Sequence, residues 1–328
     1  MTLVAILFGE KKALIARNRN EASLPDKIID VSIIIPTKNG SRTLERVLLS
    51  VFNQKTRHFY EVIVVDSGST DNTLDLLTKY SVRLYKIHPK EFSHSRTRNY
   101  GASLSRAESY LVFLNQDATP SDEYWLENMI ESIQLEQDIK AVCATELNEK
   151  KQYFNVAGIA YHSIVNSHFK GMYIIEPYLL AKTSDMPKIE QRWLFPFTTV
   201  CAIFDKKHFA AHPFDETIEW GEDLHWAVKN SCQGYKSALT SAATVFHYHD
   251  YSKKELAAIM EHSVRLFTDI LEWDKESLRE FISMNNVVDN NPGTSCSVAA
   301  LKNSLSWKIT APLRKLHSLL IRLSCRGQ

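Results

Sequence analysis

The chain has 328 residues, 44% of them hydrophobic and 23% charged, and its 39 basic and 38 acidic residues leave a net charge of +1. This length predicts one α/β domain with additions or roughly two units of ~150 residues, and the balanced charge argues against a nucleic-acid partner. The five scattered cysteines form no C-x-x-C pair and no apolar run is long enough to span a membrane, so we expect a cytoplasmic protein without zinc or disulfides.

Strand and helix patterns alternate over the first 120 residues, after an extension at 1–30 that shows no recognisable chemistry. Apolar β-branched runs predict strands at 31–36, 61–66, 81–87 and 110–114. Apolar residues at helical spacing predict helices at 44–52, from residue 74, and at 95–105. Such alternation predicts an α/β fold with a doubly wound, mostly parallel sheet and helices on both faces.

The second half of the chain has a looser pattern. A helix is predicted from residue 121, and shorter strands and aromatic-rich loops follow from about residue 140. We predict a strand at 198–204, a loop at 221–223 leading into a helix at 224–231, a strand at 242–246 and a helix at 253–271. We interpret 121–250 as the second half of the same domain and 251–328 as C-terminal helices.

Polar residues follow three of the predicted strands. Thr37 and Asn39 follow the first, Asp66 ends the second, and Asn115 and Asp117 follow the fourth. Parallel strands end at one edge of a sheet, and ligands of α/β folds bind beyond that edge, where a strand-end acid can accept hydrogen bonds from a nucleobase or ribose. Two local alternatives remain open: Asp66 could form an Asx turn, and the 115–117 tip could cap the next helix.

Two further groups carry candidate charges. Arg96 and Arg98 could hold a diphosphate, although arginines on a helix are often merely solvated. Glu222 and Asp223 follow Gly221 at the mouth of a predicted helix, where the helix dipole favours an ionised carboxylate that could act as a base. Simple capping of that helix is the alternative.

Five segments in this order resemble the family 2 nucleotide-sugar glycosyltransferases with the A-type (GT-A) fold. They are Ile-Ile-Ile-Pro-Thr-Lys-Asn (33–39), Val-Ile-Val-Val-Asp-Ser-Gly-Ser-Thr-Asp-Asn-Thr (62–73), Thr-Arg-Asn-Tyr-Gly-Ala (97–102), Phe-Leu-Asn-Gln-Asp-Ala (113–118) and Gly-Glu-Asp (221–223). The resemblance covers about residues 31–251. The Asn-Gln-Asp-Ala tip, residues 92–102 and the His-x-His sequence at 247–249 are most similar to bacterial rhamnosyltransferases of surface polysaccharide synthesis.

The resemblance implies an inverting enzyme that moves a sugar to a glycan acceptor on a lipid carrier. The donor would be dTDP-rhamnose or a UDP-hexose, bound by residues 31–120, while 121–250 would bind the acceptor. Asp223 would be the base and Glu222 would orient the acceptor. Residues implied to contact the nucleoside or its diphosphate are Pro36, Thr37, Asn39, Asp66, Gly68, Arg98, Asn115 and Gln116.

A divalent metal, Mg²⁺ or Mn²⁺, is also implied, with Asp117 as its ligand. The family usually carries Asp-x-Asp at this tip, and Asn115 replaces the first Asp, which leaves one carboxylate. His247 is the first candidate for a further ligand and His249 the second, because an imidazole suits Mn²⁺. Alternatively, both histidines are satisfied within a strand-end loop.

The C-terminal segment 301–328 is basic and contains no acidic residue. Leu316, Leu320 and Leu323 line one side of a predicted helix and Lys315 and Arg322 another, so the segment predicts an amphipathic helix on an anionic membrane surface. The alternative is a helix docked on the protein with its basic side solvated.

Two other functions are alternatives to glycosyl transfer. A sugar-phosphate nucleotidyltransferase needs a Gly-rich basic loop after its first strand, and residues 36–40 match this poorly. A non-catalytic glycan-binding protein would explain the missing tip aspartate, but it leaves Asp66, Asp117, Glu222 and Asp223 without a purpose.

Overall fold

A computed structural model describes residues 28–147, 171–182, 184–185, 195–218 and 221–247. Its strands are β1 (Val31–Thr37), β2 (Tyr60–Asp66), β3 (Arg83–Lys86), β4 (Tyr110–Leu114), β5 (Thr119–Pro120), β6 (Ile139–Leu147), β7 (Met172–Ile175), β8 (Cys201–Asp205) and β9 (Lys236–Phe246). Its α-helices are α1 (Leu44–Phe52), α2 (Thr73–Leu77), α3 (His94–Ser103), α4 (Trp125–Ile133), α5 (Leu179–Lys182), α6 (Lys206–Ala211) and α7 (Glu222–Cys232).

One mixed sheet organises the described part of the chain, in the strand order β3-β2-β1-β4-β8-β6-β9-β5, with β7 also paired to β9. The pairs β3–β2, β2–β1 and β1–β4 are parallel. Strand β8 is antiparallel to both β4 and β6, while β6 and β9 are parallel. This confirms the predicted α/β class and places the carboxyl ends of β1, β2 and β4 at one edge.

The sheet is apolar on both faces, as a sheet covered by helices must be. Ile33 and Ile35 pack in one hydrophobic cluster with α1 and α4. Ile34 points to the other face, where it joins Phe113 and residues of α7. Successive strand side chains alternate between faces, so the continuous apolar run of β1 contributes to both cores.

Several predicted boundaries shift for local reasons. The strand predicted at 198–204 begins at Cys201, because the Thr198 hydroxyl accepts a bond from the Val200 amide and holds a turn. The helix predicted from 121 begins at Trp125, because the Asp122 carboxylate accepts from the Tyr124 amide. The strand predicted at 81–87 is shorter in the structure, where β3 spans Arg83–Lys86. The helix predicted at 95–105 is shifted toward the N-terminus, because α3 spans His94–Ser103.

Two corrections affect the candidate site. Glu222 and Asp223 do not lie in a loop before the helix but form the first turn of α7, since Gly221 adopts a φ of +81° and allows the chain to enter the helix there. Strand β9 begins at Lys236, six residues before the predicted start at 242, and pairs with the long strand β6.

Some predictions fall outside the described residues. They concern most of the N-terminal extension (1–27), His249, the helix at 253–271 and the basic segment 301–328. Within the described ranges, no helix combines the length and apolar character needed to cross a membrane.

Gly101 of α3 lies directly against the sheet, and we expect Gly101→Ala to destabilise the protein. A Cβ at this position would overlap the Cγ2 atom of Ile34, which is fully buried in β1. Overpacking of this kind costs ~1–3 kcal/mol of unfolding free energy, measurable by urea denaturation followed by circular dichroism. Ser103→Ala, at an exposed position of the same helix, is the control and should change stability by no more than ~0.5 kcal/mol. Equal unfolding midpoints for the two variants would contradict the close packing.

Candidate functional site

The loop after β4 is bonded to the end of β1. Thr37 donates from Oγ1 to Oε1 of Gln116 over 2.5 Å, and Gln116 donates from Nε2 to the carbonyl of Lys38 over 3.1 Å. Gly40 lies beneath the same amide, because a Cβ at this residue would lie 2.5 Å from the Gln116 Oε1 atom. Thr37 and Gln116, both predicted to bind the nucleotide-sugar donor, are therefore in contact.

Asp66 and Asn39 brace the loop that follows β2. The Asp66 Oδ1 atom accepts from the amides of Gly68 and Ser69 at 3.0 Å each, and Oδ2 accepts from the Ser69 hydroxyl. Asn39 accepts from the Thr70 amide over 2.8 Å. Asp66 thus forms the Asx turn that its sequence context allowed, and Gly68 supplies the required positive φ of +89°. A carboxylate has about four acceptor sites, so this turn does not exhaust them.

Arg98 connects the β4 tip to α7. Its guanidinium is buried, with Nη1 2.5 Å from Glu222 Oε1 and Nη2 2.9 Å from Asn115 Oδ1. The Asn115 carbonyl therefore faces a cation. Arg96, the other candidate, lies at the surface and pairs with Glu216 at 3.5 Å.

Asp223 is held by backbone amides at the start of α7. Its Oδ2 atom accepts from the Thr199 amide over 3.0 Å, and Oδ1 accepts from the Leu224 amide over 2.7 Å. Withdrawal from solvent and the neighbouring charge of Glu222 raise the pKa of Asp223, against the opposing effect of these amides and Arg98. A carboxylate whose pKa is raised is a stronger base once ionised.

Two polar neighbours were missed in the sequence. His94 opens α3, with its Nδ1 atom 3.4 Å from Arg98 Nη1. Burial, followed by the charge of Arg98, lowers the pKa of His94 to about 4, so the imidazole is neutral near pH 7. Thr199 is buried, and its shortest contact with Asp223 is made by its backbone amide, which any residue could supply, so the sequence gives no signal for it.

Three ionisable side chains, Asp117 after β4, His247 after β9 and Glu146 in β6, contact one another in series. His247 Nε2 lies 3.5 Å from Asp117 Oδ1, and His247 Nδ1 lies 2.7 Å from Glu146 Oε2. Burial lowers the pKa of His247, but the hydrogen bond and charge of Glu146, together with the charge of Asp117, outweigh it and raise the pKa overall. Glu146 was not among the sequence candidates; the available signal was a single acid within the apolar run of β6.

The donor atoms of Asp117 and His247 fit a divalent cation that takes its other ligands from phosphates and water. One carboxylate and one imidazole suit Mn²⁺ better than Mg²⁺, and 21% of the Asp117 side chain is exposed to solvent. No group of three or more His, Cys, Asp or Glu side chains that could hold a metal occurs within the described ranges. The Asn115 side chain is bonded to Arg98, so Asp117 and His247 are the residues that would hold the ion.

Comparisons with known proteins identify the family of the chain. The profile of glycosyl transferase family 2 matches residues 32–210. The chain is 26% identical over 224 residues to the O-antigen chain rhamnosyltransferase WbaN of Salmonella anatum, covering 68% of each chain. It is 27% identical over 226 residues to RfbN, an O-antigen chain rhamnosyltransferase of Salmonella typhimurium, covering 69% of this chain and 68% of that one.

Solved structures share the fold. The mannosyltransferase PcManGT from Pyrobaculum calidifontis, in complex with GDP-Man and Mn²⁺, superposes with a TM-score of 0.53 at 17% identity, covering 96% of this chain and 93% of that chain. Residues 1–349 of TarS from S. aureus, in complex with UDP, give a TM-score of 0.52 at 16% identity, covering 85% and 77%. The predicted GT-A architecture is confirmed.

Proposed function

Because the chain belongs to glycosyl transferase family 2, we propose that this glycosyltransferase moves rhamnose from dTDP-rhamnose to a glycan acceptor, with inversion at the anomeric carbon. A hexose from a UDP-sugar is the second candidate donor. The similarity to two O-antigen chain rhamnosyltransferases favours rhamnose and a role in bacterial surface polysaccharide synthesis.

The observation that carries the proposal is the position of Arg98 between two groups with complementary tasks. On one side it contacts Asn115, in the strand-end tip that would receive the diphosphate; on the other it binds Glu222 beside Asp223. Glycosyl transfer needs a base for the acceptor hydroxyl and positive charge for the departing diphosphate. The buried contacts of Arg98 keep those two groups in one site.

In the proposed reaction, Asp223 accepts the proton of the acceptor hydroxyl as that oxygen attacks the anomeric carbon. The bond from this carbon to the phosphate oxygen breaks, and the nucleoside diphosphate leaves with the bonding electrons. The proposed reaction uses a single base, Asp223, and a single displacement at the anomeric carbon, so the configuration at that carbon is inverted. Glu222, held by Arg98, orients the acceptor.

The donor would lie along the carboxyl ends of β1, β2 and β4. Thr37, Asn39 and Asp66 are proposed to contact the nucleoside, with Pro36 and Gly68 forming the backbone beside it and Asn115, Gln116 and Arg98 nearer the diphosphate. A divalent metal held by Asp117 and His247 would supply further positive charge to the phosphates. Thr37 and Asp66 end neighbouring strands in register, and Arg98 contacts Asn115 at the β4 tip, which supports this arrangement.

The proposal extends to the acceptor's carrier. We propose a lipid-linked glycan or oligosaccharide acceptor and a cytoplasmic enzyme peripheral to the membrane. This part rests on the basic pattern of residues 301–328, which lie outside the described residues, and on the similarity to O-antigen enzymes.

Binding and donor hydrolysis test the function directly. We expect dTDP or UDP to raise the thermal unfolding temperature, because a ligand at 100 times its Kd stabilises by ~2.7 kcal/mol. The matching nucleotide sugar should release its sugar slowly when no acceptor is present, as measured by coupled detection of the nucleoside diphosphate. Formation of a nucleotide sugar from a nucleoside triphosphate and a sugar phosphate would instead identify a nucleotidyltransferase. Absence of both reactions would favour a glycan-binding protein.

A further inference from the structure

Glu146 and His247 form a buried pair beside the candidate metal ligands. Their side chains are 8% and 7% exposed, and the Glu146 Oε2 atom lies 2.7 Å from His247 Nδ1. The opposite ring nitrogen, Nε2, faces Asp117. The imidazole therefore lies between a buried carboxylate on β6 and a partly exposed carboxylate at the β4 tip.

An irregularity in the pairing of β6 with β9 creates this contact. Ala144 pairs with Thr240, but Thr145 pairs with Thr244 and Glu146 with Val245, so residues 241–243 stand between the two sets of pairs. Without that insertion the register would place Glu146 opposite residue 242, and His247, five positions further, would point to the opposite face. With it, His247 is two positions beyond Val245 and shares the face of Glu146.

The chemistry of the two side chains then determines where the ring proton lies. An ionised carboxylate only accepts hydrogen bonds, so Glu146 requires a proton on Nδ1. Asp117 competes for a proton on Nε2, but at 3.5 Å it is at the limit of a hydrogen bond, whereas 2.7 Å is typical of a strong charge-assisted one. The shorter contact determines the tautomer: when the ring is neutral, its proton lies on Nδ1 and the Nε2 lone pair faces Asp117.

We propose that Glu146 is a positioning residue that fixes the ring orientation and the Nδ1–H tautomer of His247, so that Nε2 is available to a divalent cation beside Asp117. The proposal rests on the proposed function in that it assigns this cation to the donor site. A carboxylate behind a metal-binding histidine restricts the tautomer and increases the basicity of the ring, and its loss typically lowers metal affinity ~10–100-fold.

Two measurements test this role without relying on turnover. The protein is labelled with ¹⁵N at its histidines, and the His247 signal is assigned by its loss in His247→Gln. Long-range proton–nitrogen spectra recorded at a pH above the raised pKa of His247 should show the Nδ1–H tautomer. Glu146→Gln, which has nearly the same size, should yield a mixture of tautomers. Electron paramagnetic resonance of free Mn²⁺, in the presence of dTDP or UDP, should show ~10–100-fold weaker Mn²⁺ binding in that variant.

Control variants separate positioning from stability. Glu61→Gln removes another largely buried carboxylate, bonded to Ser32 and Arg83 at a distance from the tip, and should change neither readout. Glu146→Asp retains an acceptor and should lie closer to wild type than Glu146→Gln in its tautomer ratio.

The outcomes distinguish the two proposals. An Nε2–H tautomer in the wild-type protein, or unchanged tautomer and Mn²⁺ affinity in Glu146→Gln, would overturn the role of Glu146 while leaving glycosyl transfer intact. The expected wild-type tautomer, lost in Glu146→Gln, would support that role even if dTDP and UDP promoted no Mn²⁺ binding. That second result would count against the metal in the proposed function.

Discussion

Asp223→Asn is expected to reduce the turnover of glycosyl transfer by about 10²–10⁴-fold, the usual contribution of a positioned general base. The single oxygen of the asparagine amide can keep one of the two backbone bonds that hold Asp223, from the Thr199 amide at 3.0 Å or from the Leu224 amide at 2.7 Å, so the side chain should stay at the start of α7. The amide cannot take the acceptor's proton. Steady-state kinetics with donor and acceptor would show a loss in kcat with unchanged binding of the nucleoside diphosphate.

Glu222→Gln is the matched comparison, because Glu222 is adjacent and bonded to Arg98. The raised pKa of Asp223 means that the rate should fall as the pH drops through a value above that of an ordinary aspartate. Removing the negative charge of Glu222 lowers that pKa, so the acidic limb of the rate profile should move to lower pH. If Asp223→Asn stays within a few fold of wild type while Glu222→Gln abolishes turnover, Glu222 is the base.

Asp117→Asn is expected to lower metal-stimulated turnover by about 10²-fold or more. A bound metal supplies several kcal/mol of charge stabilisation, and each ~1.4 kcal/mol changes a rate tenfold. After EDTA treatment, the wild-type enzyme should regain activity when Mn²⁺ is added, whereas Asp117→Asn should regain little. The recovery measured over a series of Mn²⁺ concentrations checks this.

The control for that experiment is Asp122→Asn, which neutralises the next carboxylate along the chain, one that accepts a bond from the Tyr124 amide. This variant should respond to EDTA and Mn²⁺ as the wild-type enzyme does. An unchanged rate of the wild-type enzyme after EDTA, with no response to added Mn²⁺, would remove the metal role of Asp117.

The local pattern of apolar residues predicted the strands whose carboxyl ends form the proposed binding edge for the nucleotide-sugar donor. Strands β1, β2 and β4 are buried on both faces, so their apolar runs are continuous and easily recognised. Parallel pairing then brings Thr37 and Asp66 into register. By contrast, the full extent of β6 and β9 was missed, because pairing with a shifted register depends on the partner strand and leaves no regular period in either sequence.

The α/β class, the family resemblance and the meeting of strand-end polar groups at one edge could all be predicted, because each depends on short-range periodicity or on the order of motifs. Which of those groups touch depends on the folded chain. Arg98 meets Glu222 across 124 positions of the chain, and Glu146 meets His247 across 101. Such pairs are selected by the packing of helices and strands against the sheet, and no local pattern in either segment encodes them.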